Sequence, residues 1–148
     1  MGLMSFFKGV GEKIFPSAAK EPEVKAAALL AHVQGLALPF KKLSIKVAED
    51  IVTIEGSVAE QVDAEKIAIA VGNVEGVASV NNLLEVEVPK EEAKFHTVVS
   101  GDTLGKIAKT FYGNAMKYPV IFEANKPMLS DPDKIYPGQM LRIPALED

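Results

Sequence analysis

The sequence predicts an α+β protein made of two small domains, and three observations carry that reading. Hydrophobic residues make up 48% of the 148 residues, enough to close a packed core and too many for a disordered chain. Periodicity over residues 23–88 switches between helical and alternating spacing in the order α-β-β-α-β, the pattern of helices laid on one face of a three-stranded sheet. A proline-led charged run, Pro89-Lys90-Glu91-Glu92-Ala93-Lys94, then breaks the pattern and marks a linker at 89–94. The domains so defined are 23–88 and 95–148, preceded by an N-terminal segment and linker at 1–22.

In the N-terminal segment, Leu3, Phe6, Phe7 and Val10 follow i, i+3, i+4, i+7 spacing. This predicts a short amphipathic helix, weakened by Gly9 and Gly11, that packs back on the first domain. Glu23–Gln34 reads as an alanine-rich helix with Val24, Ala27, Ala28, Leu30 and Ala31 inward, stopped by Gly35. Leu43, Ile45 and Val47 alternate, and Ile51–Ile54 follow after Ala48-Glu49-Asp50, which predicts a β-hairpin ended by Gly56. A second helix is expected from Ser57 or Val58 to about Val71. A last strand alternates at Leu84, Val86 and Val88 before Pro89.

Ala70–Val80, AVGNVEGVASV, joins that helix to that strand. Gly72 or Asn73 is expected as a left-handed helix cap, and Gly76 gives the backbone a second free position. Read alone, the stretch is a helix-to-strand connection. A helix end of this kind also turns unpaired carbonyls outward at the negative pole of the helix dipole. Neutral carbonyl donors suit a large, weakly hydrated cation such as K⁺, whereas dense carboxylates favour Ca²⁺.

Composition excludes several classes. Sixteen basic against 20 acidic residues give a formal charge of −4, which argues against a phosphate-backbone binder, so no nucleic acid partner is expected. Cysteine is absent, which removes disulfides, thiolate metal sites and cysteine nucleophiles. The apolar pieces of the N-terminus are cut by Lys8, Gly9, Gly11, Glu12 and Lys13, and Phe6 stands where acylation after Gly2 would need Ser or Thr. No run reaches the roughly 20 apolar residues of a membrane span. A cytoplasmic location is therefore expected. His32 and His96 lie in different domains, and the nucleophile-elbow, phosphate-loop and zinc-protease motifs are missing, so no enzyme is expected. Asp131-Pro132-Asp133 lacks calcium-loop spacing.

Two stretches resemble known families. Thr53-Ile54-Glu55-Gly56-Ser57-Val58 and Val74-Glu75-Gly76-Val77-Ala78-Ser79-Val80-Asn81-Asn82 are similar to the BON domain. Phe95–Leu104, Tyr112-Gly113-Asn114, Ile121–Asn125 and Ile135–Pro144 resemble the LysM domain, which implies a βααβ fold. Its details are readable. Asp102 or Thr103 caps a helix over Leu104–Phe111, and Tyr136-Pro137-Gly138-Gln139 has the proline and glycine of a type II turn. LysM domains bind N-acetylglucosamine polymers, and that resemblance implies a groove at Gly101, Asp102, Thr103 and Leu104 and at Met128, Leu129, Ser130 and Asp131.

The whole arrangement, with its opening MGL-x-x-F and its NKPML-x-x-PDKIYPGQ-x-LRIP ending, resembles the family of small bacterial cytoplasmic potassium-binding proteins built from BON and LysM domains. The resemblance implies a K⁺ sensor in which one ion is held by main-chain carbonyls and the BON domain docks against LysM. Carried onto this chain, the implied ligands are the carbonyls of Phe7, Val10, Gly72, Val74 and Val77. A monomer is expected, and no downstream protein partner is named by these residues.

Overall fold

The computed structural model describes residues 3–16 and 21–146. The expected linker residues 17–20 and the ends of the chain lie outside the described residues. The elements in chain order are β1 (Leu3–Ser5), α1 (Pro22–Gly35), β2 (Lys42–Ala48), β3 (Ile51–Glu60), α2 (Gln61–Gly72), β4 (Ser79–Val88), β5 (Lys94–Thr97), α3 (Leu104–Tyr112), α4 (Tyr118–Ala124) and β6 (Met140–Ile143). A single 3-10 turn at Ala115–Lys117 precedes α4.

The N-terminal domain is a four-stranded sheet in the order β1-β4-β3-β2, one strand more than expected. β2 and β3 form the hairpin, with Glu49 at φ 58 in its turn. β3 and β4 are parallel, with α2 as the crossover between them. Val52, Ile54 and Val58 on β3 and Val80 and Leu84 on β4 point to one face, where α1 and α2 cover them. β3 does not stop at Gly56. It runs through that residue at φ 137, because the Lys42 carbonyl comes so close that a β-carbon there would lie 2.1 Å from it.

Two expectations about helices are corrected. Residues 3–5 form a strand, not a helix, paired antiparallel to β4 through Leu3↔Asn81 and Ser5↔Ser79. The apolar residues obey a period of two: Met4 and Phe6 pack on the core while Leu3 and Phe7 face out. The free edge of β4 supplies the hydrogen-bond partners that a weak, glycine-containing helix cannot match. On α1 the inward pair is Leu29 and Val33, with Val24 exposed. An alanine-rich helix has little amphipathic contrast, so its spacing alone did not fix which side is buried.

The C-terminal domain pairs β5 with β6 antiparallel and packs α3 and α4 around Leu104, Ile107, Ile121, Leu129, Leu141 and Ile143. Thr103 Oγ1 accepts from the Lys106 N–H (3.1 Å) and caps α3. Gln139 N–H donates to the Tyr136 carbonyl (3.1 Å) with Gly138 at φ 91, the turn the sequence predicts.

Candidate functional site

The expected left-handed cap at Gly72 or Asn73 falls elsewhere. Gly72 ends α2, Asn73 follows at φ −83, ψ 40, and the positive φ belongs to Gly76 at 102. Gly72 is needed for a different reason. The Phe6 ring lies on it, so a β-carbon there would sit 2.0 Å from Phe6 Cζ. That contact seats the N-terminal segment against the end of α2.

Beyond Phe6 the segment runs alongside the 72–77 loop, held by main-chain bonds. Phe6 N–H donates to Ala78 (2.8 Å) and Glu12 N–H to Asn73 (2.9 Å), while the Glu12 carbonyl accepts from the Glu75 N–H (3.0 Å). Gly76 N–H donates to the Lys8 carbonyl at 2.7 Å. Glu12 and Val74 form a parallel bridge. Gly11, at φ 122, is packed so closely that a β-carbon would meet the Asn73 carbonyl at 2.5 Å. The two segments carrying Phe7 and Val10, and Gly72, Val74 and Val77, are thus neighbours.

Among those five residues, the Phe7 carbonyl accepts from the Val10 N–H (3.3 Å) and the Val74 carbonyl from the Val77 N–H (3.1 Å). Each such oxygen keeps a second lone pair. The described residues contain no group of three or more His, Cys, Asp or Glu that could hold a metal. The two segments bring main-chain carbonyls, a neutral donor type that suits K⁺, alongside the side chains of Glu12 and Glu75. Glu75 pairs only loosely with Lys13, at 3.9 Å and at the surface.

Both segments also touch the C-terminal domain. Val10 Cγ2 lies against Gly138, where a β-carbon would be 2.6 Å away. Asn73 Nδ2 donates to the Met140 carbonyl and its Oδ1 accepts from the Met140 N–H, each at 2.8 Å. Glu12 lies near Tyr136, whose hydroxyl is pushed up to about 12 by burial and then by the Glu12 charge. Farther along α2, Glu65 Oε1 accepts from Arg142 Nε at 2.7 Å, and Glu65 Oε2 accepts from the Ala93 N–H of the linker at 3.0 Å.

The interdomain roles of Asn73, Glu65 and Arg142, and the bonding of Glu12 to Asn73, were not signalled by spacing. Their partners lie 28 to 77 positions away, and no local pattern encodes that. Beside Arg142 a cleft of about 830 Å³ opens between the domains. Its wall includes Lys66, Lys90, Lys94 and Arg142 balanced by Glu60, Glu91, Glu92 and Glu123.

The residues of the implied glycan groove serve several local purposes. Gly101 is an exposed turn residue at φ 89, and Ser130 is exposed. Asp102 accepts from the Val99 N–H (3.0 Å) and pairs with His96 Nε2 (2.9 Å), and these two contacts hold its carboxyl below the usual range. Thr103 caps α3, Leu104 and Leu129 are core, and Asp131 Oδ1 accepts from the Asp133 N–H (2.9 Å). Met128 faces the other domain, its Sδ 3.3 Å from Asn73 Nδ2.

The fold and this interface define a two-domain protein. The BON domain model matches residues 23–88 and the LysM domain model matches residues 96–144. The chain is 44% identical over 147 residues to the potassium binding protein Kbp of Escherichia coli O6:H1 (strain CFT073), covering 97% of this chain and 99% of that one. It belongs to the family of that protein. An uncharacterized protein of Deinococcus radiodurans is 41% identical over 91 residues, covering 55% of this chain and 35% of that one. The esterase Rv1288 of Mycobacterium tuberculosis is 48% identical over 48 residues, 10% of its length. Among the described residues no helix is long and apolar enough to cross a membrane.

Proposed function

We infer that this chain is a cytoplasmic K⁺-binding sensor and not an enzyme. In this reading one ion is held by the main-chain carbonyls of Phe7, Val10, Gly72, Val74 and Val77, and the ion-bound form is compact, with BON docked on LysM. The observation that carries it is the run of main-chain bonds fastening residues 6–12 to residues 73–78, at the corner where both segments meet the C-terminal domain. Near-full-length likeness to a protein named for potassium binding supports the choice of ion. A backbone site tolerates side-chain change because the ligand is the carbonyl, but it needs the turn geometry.

The test exchanges Na⁺ for K⁺ at fixed ionic strength and follows thermal unfolding and small-angle scattering. At ten times Kd the ion adds RT ln 11, about 1.4 kcal/mol, to the native state. That moves the Tm of a domain of this size by several degrees. K⁺ alone should raise Tm and reduce the radius of gyration. Gly76→Pro, which removes the 2.7 Å bond to Lys8 and cannot adopt φ 102, should abolish both responses and leave the LysM domain folded. Identical behaviour in the two salts would overturn the reading and make N-acetylglucosamine oligomers the next ligand to try.

A further inference from the structure

The outer edge of β6 is closed by two asparagine side chains that come from different domains. A strand edge presents N–H and C=O groups that need partners. At Arg142 both are taken by Asn125: its Nδ2 donates to the Arg142 carbonyl (2.9 Å) and its Oδ1 accepts from the Arg142 N–H (2.7 Å). Asn125 follows α4, is fully buried, and also donates to the Ile121 carbonyl at 2.7 Å. Two residues earlier on the same strand, Met140 receives the same reciprocal pair from Asn73. A primary amide carries a donor and an acceptor side by side, so each asparagine stands in for a strand residue.

The two amides differ in what holds them. Asn125 belongs to the domain that owns β6. Asn73 belongs to the proposed ion loop, between Gly72 and Val74. Its N–H donates back to Ile69 (2.9 Å), its carbonyl accepts from Glu12, and the residue is buried. With its main chain fixed at both ends and its side chain enclosed, its amide cannot be re-aimed unless the loop moves.

We propose that Asn73 is the positioning residue that couples ion occupancy to domain docking, by presenting its amide to the vacant edge position at Met140 only when the 72–77 loop has its ion-bound geometry. The proposal rests on the K⁺ reading above. Linkage makes the effect reciprocal: whatever factor the ion adds to docking, docking adds to ion affinity.

The experiment is amide hydrogen exchange on the full chain in K⁺ and in Na⁺ at equal ionic strength, with K⁺ uptake measured by calorimetry. Met140 exchange should slow by about tenfold in K⁺, the scale of one to two hydrogen bonds, while Arg142, held by Asn125, should not change. Asn73→Ala should bind K⁺ roughly tenfold more weakly and lose the Met140 response, with Arg142 protection kept. If the unaltered chain binds K⁺ yet Met140 exchanges alike in both salts, the coupling is wrong and the K⁺ reading survives. The same holds if Asn73→Ala binds K⁺ and compacts as the unaltered chain does. If the unaltered chain takes up no K⁺, both fall. Should Asn73→Ala not fold, the contrast between Met140 and Arg142 in the unaltered chain decides the matter alone.

Discussion

Replacing Arg142 by methionine should destabilise the protein far more than loss of a surface charge would. The Glu65 side chain is 2% exposed and Arg142 is 12% exposed, with Nε and Oε1 2.7 Å apart. At that separation and an effective dielectric of 20 the attraction is about 6 kcal/mol. Removing the two ions from water costs several kcal/mol each, so the intact pair contributes little net. Removing only the guanidinium leaves a desolvated carboxylate whose remaining contacts are the Ala93 N–H at 3.0 Å and Gln61 Nε2 at 3.4 Å. The expected loss is about 3–5 kcal/mol, read as a urea midpoint lower by roughly 1 M or more. Glu65→Leu combined with Arg142→Met should recover most of it, because an apolar pair carries no desolvation cost. A loss below about 1 kcal/mol for Arg142→Met, the range of exposed pairs, would refute the claim that this contact is buried between the domains.

Three further outcomes follow from the geometry. Gly72→Ala places a β-carbon 2.0 Å from Phe6 Cζ and should cost about 1–3 kcal/mol by denaturant unfolding, with loosening of residues 6–12 seen as faster amide exchange at Glu12. Asn125→Ala strips partners from the Arg142 N–H and carbonyl and from the Ile121 carbonyl. It should lower the stability of the C-terminal domain by about 3 kcal/mol or more, at roughly 1–3 kcal/mol for each of the three orphans. His32 has a buried Nε2 with no hydrogen-bond partner among the described residues, and burial lowers its pKa despite the opposing Glu12 charge. The native state therefore binds fewer protons than the unfolded chain, whose value is 6.5. Stability should be full above that pH and fall as pH drops from 6.5 through the lowered native value, and His32→Gln should flatten that fall in a Tm-against-pH series.

Much of the fold was legible because its signals are local. The alternation at Leu43, Ile45 and Val47, the break at Pro89–Lys94, and the proline and glycine of Tyr136–Gln139 each specify a conformation within a few residues. β1 was not legible. Leu3, Phe6, Phe7 and Val10 satisfy helical spacing by coincidence, and what makes 3–5 a strand is the free edge of β4 some 76 positions away. Gly56 read as a strand end because its reason, the close Lys42 carbonyl, belongs to the neighbouring strand. The candidate ligand residues came from family likeness, since a carbonyl site leaves no side-chain signature. Asn73 and Asn125 did leave a trace, each standing just after a helix, but only the structure shows both amides turned to one strand.

The most direct test of the K⁺ site is a carbonyl-carbon NMR titration with K⁺ against a constant Na⁺ background. Shifts at Phe7, Val10, Gly72, Val74 and Val77 that saturate together at one ion per chain are the expected result. No K⁺-dependent change at those five carbonyls, or an equal change when Na⁺ is added instead, would contradict the site.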